Sequence, residues 1–137
     1  MSLPFAENMP YWKTSQSGVE TWLDKVEKMI VEMGGQVDTR LAGKQRGREA
    51  ILFEFTVQND IYKILYPVLP TKKDKDKNAA LRQCATLIYH DVKSRLNRIK
   101  IFGIRVVFSD YLVLDNGQTL SQIGNDYSIA DIKQIQK

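Results

Sequence analysis

Ala50-Ile51-Leu52-Phe53-Glu54-Phe55-Thr56-Val57 alternates side by side: Ile51, Phe53, Phe55 and Val57 fall on one face, and Leu52, Glu54 and Thr56 on the other. A period of two over eight residues, rich in β-branched and aromatic side chains, predicts a strand. Asn59-Asp60 supplies a tight turn. Ile61–Val68 then repeats the pattern, with Tyr62, Ile64, Tyr66 and Val68 sharing a face. Pro67 and Pro70 mark the end of that strand or an edge position, because proline has no N–H to give to a ladder. Gln36–Ala42, on the N-terminal side, is a weaker strand pattern. The three together predict an antiparallel meander.

Working outward, Val19, Trp22, Leu23, Val26, Met29, Ile30 and Met33 recur at spacings of three and four, the signature of one apolar helix face. Ser17 and Glu20 fit a capping box, which makes Ser17 the expected N-cap. Gly34-Gly35 ends the helix, since glycine tolerates the left-handed C-cap geometry. Beyond the meander, a long helix is expected from about Asn78 to Gly103. Its apolar stripe is Leu81, Cys84, Ala85, Ile88, Val92, Leu96 and Ile99. Ile104–Ser109 reads as a further strand. Asp110–Leu114 and Gln118–Ile123 read as hairpin arms around Asp115-Asn116-Gly117, and a short helix is expected from Ser128. The fold class is α+β: an antiparallel sheet with two main helices packed on one face, in the order α-β-β-β-α-β, followed by a hairpin and a short C-terminal helix. Residues 1–10, with two prolines and no periodicity, read as a flexible arm, and residues 11–137 as a single domain.

The bulk composition is that of an ordinary globular protein, 43% hydrophobic and 26% charged over 137 residues. The lone cysteine, Cys84, excludes an internal disulfide and suits a reducing, cytoplasmic setting. Met1–Pro10 has neither a basic start nor an apolar core of a secretory signal, and no apolar run is long enough to cross a bilayer, so no membrane partner is expected.

Charge is unevenly placed. Between Arg40 and Arg105 there are fifteen Lys/Arg and six Asp/Glu, whereas residues 1–39 carry three and six, and residues 106–137 two and four. A basic centre between acidic ends attracts polyanions even at a modest net charge of +4. Three segments carry it. Lys44, Arg46 and Arg48 sit on a glycine-flexed hairpin loop, suited to follow a phosphate backbone or simply to keep an edge soluble. Lys72 and Lys73 precede the long helix, where the dipole favours anions, although Asp74 and Asp76 dilute them. Arg82, Tyr89, Lys93 and Lys100 fall on one helix flank over roughly 27 Å, with a stacking ring among the cations. A solvated helix face is the plainer account of that flank. These nine residues are the candidate nucleic-acid contacts.

Catalytic chemistry finds little footing. His90, the sole histidine, lies opposite the apolar stripe and is expected to be exposed. One histidine and one cysteine do not make a zinc site, no nucleophile elbow or glycine-rich phosphate loop occurs, and no cofactor or small-molecule site is expected. The order α-β-β-β-α-β matches the core of restriction-endonuclease-like nucleases, which cluster carboxylates and a lysine around a divalent metal. Glu54 and Lys63 lie on adjacent strands here, but Asp60 precedes Lys63 by three residues rather than two, and falls in the turn.

Two resemblances add to this. From Val19 to about Phe102 the order α-β-β-β-α is similar to that of the double-stranded-RNA-binding domain. Lys44-Gln45-Arg46-Gly47-Arg48 stands at the first hairpin loop, and Lys72-Lys73 before Lys77-Asn78-Ala79-Ala80. The resemblance implies a groove-entering loop and phosphate-gripping lysines. The family's Gly-Pro-x-His loop element is absent, aspartates interrupt the lysines, and about 35 residues follow where that domain ends. Over Tyr11 to Gln122 the chain resembles small proteins without assigned activity from phage and prophage-bearing bacterial genomes. That resemblance is carried by Tyr11-Trp12-Lys13-Thr14-Ser15, the long second helix, Phe108-Ser109-Asp110-Tyr111-Leu112 and Asp115-Asn116-Gly117-Gln118-Thr119-Leu120. It implies no site residue, and favours nucleic-acid transactions by association.

The resulting expectation is a small, non-catalytic, cytoplasmic nucleic-acid-binding module, largely electrostatic and weakly sequence-specific. The alternatives are an interaction or assembly module of phage origin, a homodimer using an aromatic patch of Tyr11, Trp12, Phe108 and Tyr111, and a metal-dependent nuclease. For the aromatic lead-in, packing against the sheet is the plainer expectation.

Overall fold

A computed structural model describes residues 3–45 and 48–121, with the backbone alone at Gln45. The chain runs α1 (Val19–Glu32), β1 (Gly35–Gln45), β2 (Arg48–Val57), β3 (Asp60–Pro67), α2 (Lys77–Phe102) and a single turn, α3 (Ile104–Val107). The three strands form one antiparallel sheet in the order β1-β2-β3. The register sets Arg40, Phe53 and Ile64 in one row and Leu41, Leu52 and Leu65 in the next. A bulge between Val37 and Thr39 interrupts β1. The fold is α+β, as the periodicities require.

Packing follows the period-two pattern. Ile51, Phe53, Phe55 and Val57 of β2 and Tyr62 and Ile64 of β3 are buried against Leu23, Val26, Met29 and Ile30 of α1 and Cys84, Ala85, Ile88 and Val92 of α2. Both helices therefore cover one face, while Leu52, Glu54 and Thr56 line the opposite, more open one. Burial raises the Cys84 thiol to about 12, so it stays protonated and packs as a small hydrophobe.

The turn from α1 into β1 is tight. Gly34 has φ +92°, and a Cβ on Gly35 would stand 2.8 Å from Ile30 Cγ2 and 2.9 Å from the Ile30 carbonyl oxygen. Gly35→Ala is expected to cost about 2 kcal/mol by overpacking this corner. A fall in the urea midpoint with an unchanged far-ultraviolet spectrum would show it, and an unchanged midpoint would refute it.

Several elements differ from expectation. Helix α1 starts one residue later, with Gly18 as N-cap and no side-chain cap. The capping box fails because Glu20, its other half, is drawn 2.8 Å from the Arg40 guanidinium. Ile104–Ser109 is not a strand but α3 followed by a 3-10 turn at Ser109–Tyr111. Gly103, at φ 83°, redirects the chain. Val107, Phe108 and Tyr111 then enter the core while Val106 stays exposed, a helical spacing that a strand would not give. Of the hairpin expected after it, the described residues keep only the turn, and residues 122–123 of its second arm lie outside them. The Gly117 N–H donates to the Leu114 carbonyl (2.9 Å) and the Leu114 N–H to that of Gln118 (2.8 Å). Leu112 instead bridges to Tyr62, and the Val113 N–H donates to Ile61, so this segment lies along the free edge of β3. The helix expected from Ser128 falls outside the described residues.

The N-terminal segment, expected as a loose arm, is docked. Ala6 is fully buried, and its N–H donates to the Pro70 carbonyl at 2.8 Å. The Gln83 side-chain amide donates to the carbonyls of Ala6, Met9 and Pro10. This strap explains why Gln83, off the apolar stripe of α2, is buried.

Candidate nucleic-acid interface

Part of the central charge is answered inside the molecule, at Arg40, Arg95 and Arg105. Arg40 reaches from β1 to α1 and meets Glu20 (2.8 Å), Asp24 (2.8 Å) and Glu27 (3.1 Å). Partial burial opposes its charge, but the three carboxylates outweigh that and raise its pKa. One guanidinium offsets one of these three negative charges, so the outer edge of α1 stays acidic. Arg105 pairs with Asp60 at 2.8 Å, and Lys13 with Asp76 at 2.9 Å.

Among the described residues, Arg95 is the cation with the most hydrogen bonds to other groups. It donates to Asp91 (2.8 Å), to both oxygens of Asp110 (2.7 and 2.9 Å) and to the Val107 carbonyl (3.1 Å). Its guanidinium carbon lies 4.5 Å from the centroid of Tyr111 and 5.2 Å from that of Phe108. Tyr66 and Tyr111 donate to the other oxygen of Asp91. Burial lifts both phenols far above their usual range, with Asp91 adding to it, so they remain donors at any ordinary pH. Every member has partners, and the cluster ties β3, α2 and the 3-10 turn together. It is a structural clamp, and it consumes part of the aromatic patch expected for assembly: Phe108 and Tyr111 are buried.

The nominated contacts lie apart from these pairs. None of Lys44, Arg48, Lys72, Lys73, Arg82, Lys93 and Lys100 forms an ion pair among the described residues. Arg46 lies outside the described residues. Lys44 and Arg48 are exposed at the β1–β2 tip, although Glu49 stands across from Lys44 in the register. The tip shares its end of the sheet with the start of α2. The Val68 N–H donates to the Glu49 carbonyl, and the Cys84 thiol points to the carbonyls of Tyr66 and Pro67. Lys72, Lys73 and Arg82 thus belong to segments at the same end of the sheet as the tip. Lys93 and Lys100 do not, because α2 runs antiparallel to β3 and carries them toward the opposite end, where Arg105 holds Asp60.

Tyr89 is not a free stacking surface. Its ring packs 4.9 Å from Trp22 of α1 and edge-on, at 5.1 Å, to His90. Lys93 lies 5.6 Å over it, and Lys25 lies 5.8 Å over it and 4.7 Å over Trp22. Two lysines therefore flank an aromatic seam between α1 and α2. Trp22 and Lys25 were not nominated, because the seam pairs helices far apart in sequence and no local spacing announces it.

His90, expected to be exposed, is half-buried under Tyr11, whose ring stacks on it at 4.4 Å and 7°. The aromatic lead-in thus packs on helix α2 rather than on the sheet, since the strap crosses the outer face of that helix. Trp22 Nε1–H donates to Ser15 Oγ at 2.6 Å. The geometry requires Tyr11 at φ 67° and Lys13 at φ 53°, left-handed values that cost about 1–2 kcal/mol each in non-glycine residues.

The nuclease constellation does not assemble. Glu54 and Lys63 are cross-strand neighbours on the open face of the sheet, while Asp60 bonds Arg105 at the end of β3. Among the described residues no group of three or more His, Cys, Asp or Glu is placed to hold a metal. None of their helices is long and apolar enough to cross a membrane.

Comparison with protein-family models, with curated proteins and with solved structures gives no match.

Proposed function

We propose that the chain is a small, non-catalytic nucleic-acid-binding module that holds a phosphodiester backbone electrostatically, with weak sequence preference. One observation carries the reading. Internal carboxylates take up Lys13, Arg40, Arg95 and Arg105 and leave the candidate cations at the β1–β2 tip and the start of α2 unpaired among the described residues. The exposed tip cations Lys44 and Arg48, with Lys72, Lys73 and Arg82 toward the same end of the sheet, form the principal contact. Lys25 and Lys93 at the aromatic seam extend it. Because Trp22 and Tyr89 are already packed on each other, base stacking contributes little and charge supplies the affinity. A single buried cysteine is in keeping with a reducing cytoplasm as the setting.

Fluorescence anisotropy with single- and double-stranded DNA and RNA tests this. Four to five phosphate contacts predict a log–log slope of affinity against salt of about −4 between roughly 50 and 200 mM. Absence of binding to all four at the lower salt would refute the proposal.

An assembly role has one observation in its favour. Ile101, Phe102 and Val106, at the corner between α2 and α3, are 75%, 59% and 59% exposed. An exposed apolar cluster of this kind supports an assembly role. Sedimentation at micromolar concentration discriminates: a monomer removes the homodimer.

A further inference from the structure

The sheet has one covered edge and one free edge. Leu112 and Val113 lie along β3, whereas no segment among the described residues pairs with the outer side of β1. An edge strand turns alternate N–H and C=O groups outward, and such edges are usually blunted by proline, a bulge or projecting charge. The bulge of β1 lies between Val37 and Thr39, and beyond it the ladder is regular from Thr39 to Gln45. Thr39-Arg40-Leu41-Ala42-Gly43 holds no proline, and Leu41 and Ala42 are exposed. Its one charged residue, Arg40, is turned onto α1 and does not guard the edge.

The two sides of that edge differ. On the helix side, Glu20, Asp24 and Glu27 recur at spacings of four and three along α1 and converge on Arg40. The side chains of Glu20 and Asp24 are 81% and 71% exposed, and a single guanidinium leaves this strip negative. Lys25 does not offset it, because its ammonium lies over Trp22 at the seam with α2. Even with Lys28 of α1 counted, the exposed Asp38 at the bulge keeps the edge acidic. On the open side, the register lines up Leu65, Leu52 and Leu41 in one row, which ends at the free edge with Leu41 47% exposed. A second copy pairing β1 with β1 about a two-fold axis would bring two acidic strips together, so charge disfavours that occupant.

We propose that the β1 edge takes up an extended basic segment of another protein as a fourth strand. Main-chain hydrogen bonds to β1 between Thr39 and Gly43 hold the segment, and its alternating side chains meet the two sides of the edge. Lysines or arginines of one phase face Glu20 and Asp24. Apolar residues of the other phase continue the leucine row. Absence of nucleic-acid binding at the basic tip would leave this edge as it is.

The probe is a fluorescein-labelled peptide of about nine residues that alternates Lys and Val. Anisotropy against the full chain is expected to show saturable binding, tighter than about 1 mM, that weakens with salt. Glutamate in place of the peptide's lysines is expected to abolish it. N-methylation throughout the peptide keeps the charge but removes the main-chain donors, and is expected to weaken binding at least about tenfold. In the protein, Glu20→Gln combined with Asp24→Asn is expected to weaken it about fivefold. Thermal melting checks the fold of that variant, and the peptide series decides alone if it does not fold. Bound peptide is expected to slow hydrogen exchange of amides between Thr39 and Gly43. No saturable binding of the parent peptide overturns the proposal, as does an N-methylated peptide that binds as tightly, since charge alone then suffices. Exchange at β1 that slows with protein concentration in the absence of peptide also overturns it, because a second copy then fills the edge.

Discussion

Arg95→Met is expected to lower the stability of the fold by about 3 kcal/mol, the range found when one partner of a partly buried ionic cluster is removed. In a chain of this length that is about 10 °C in melting temperature. The substitution keeps most of the side-chain volume but withdraws the donors that satisfy Asp91, Asp110 and the Val107 carbonyl. Asp91 would retain only the hydroxyls of Tyr66 and Tyr111 against its charge. The cost arises from stranding carboxylates, not from a large net contribution of the pairs themselves. Tyr111→Phe removes one hydroxyl and leaves the ring on Arg95, so about 1 kcal/mol is expected there. Asp110 is 41% exposed in its side chain, and Asp110→Asn should cost less than Arg95→Met. Differential scanning calorimetry measures all three. An Arg95→Met protein that melts with the wild type would show that the cluster stabilises nothing.

The second large effect concerns binding. Reversing Lys44, Arg48, Lys72 and Lys73 together to glutamate is expected to weaken nucleic-acid affinity at low salt by at least about a hundredfold, and to flatten the salt slope by about three. All four side chains are exposed and none is ion-paired among the described residues, so melting should move little. Reversing Lys93 and Lys100 instead should have a smaller effect, since they lie away from the tip along α2. Equal losses from the two sets would mean a diffuse field rather than a site. Unchanged affinity after the fourfold reversal would place any binding elsewhere on the molecule.

What could be read in advance was what depends on neighbours in sequence. Alternation in Ala50–Val57, the stripe from Leu81 to Ile99 and Gly34-Gly35 as a stop are local patterns, and they yielded the α-β-β-β-α order and the core-facing residues. They failed at Ile104–Ser109, where a short β-branched run is compatible with both periods. Burial of Val107, Phe108 and Tyr111 against β3 and α2 selected the helical one. They failed again at Ser17, whose capping partner Glu20 was claimed by an arginine on a strand.

The candidate site divides along the same line. The amino-acid order alone determined that cations concentrate between Arg40 and Arg105, and that a loop, a lysine pair and a helix flank carry them. Which of them remain unpaired was decided only by the tertiary structure. Ion pairs, ring stacks and a docked strap join segments far apart in the chain, and no local periodicity encodes those partners. The strap over α2 covered Gln83 and His90, and α1 took Tyr89 for its own seam. The direction of α2 against β3 then separated Lys93 and Lys100 from the hairpin tip, because one helix of 26 residues is too long and straight to keep all its cations at one end.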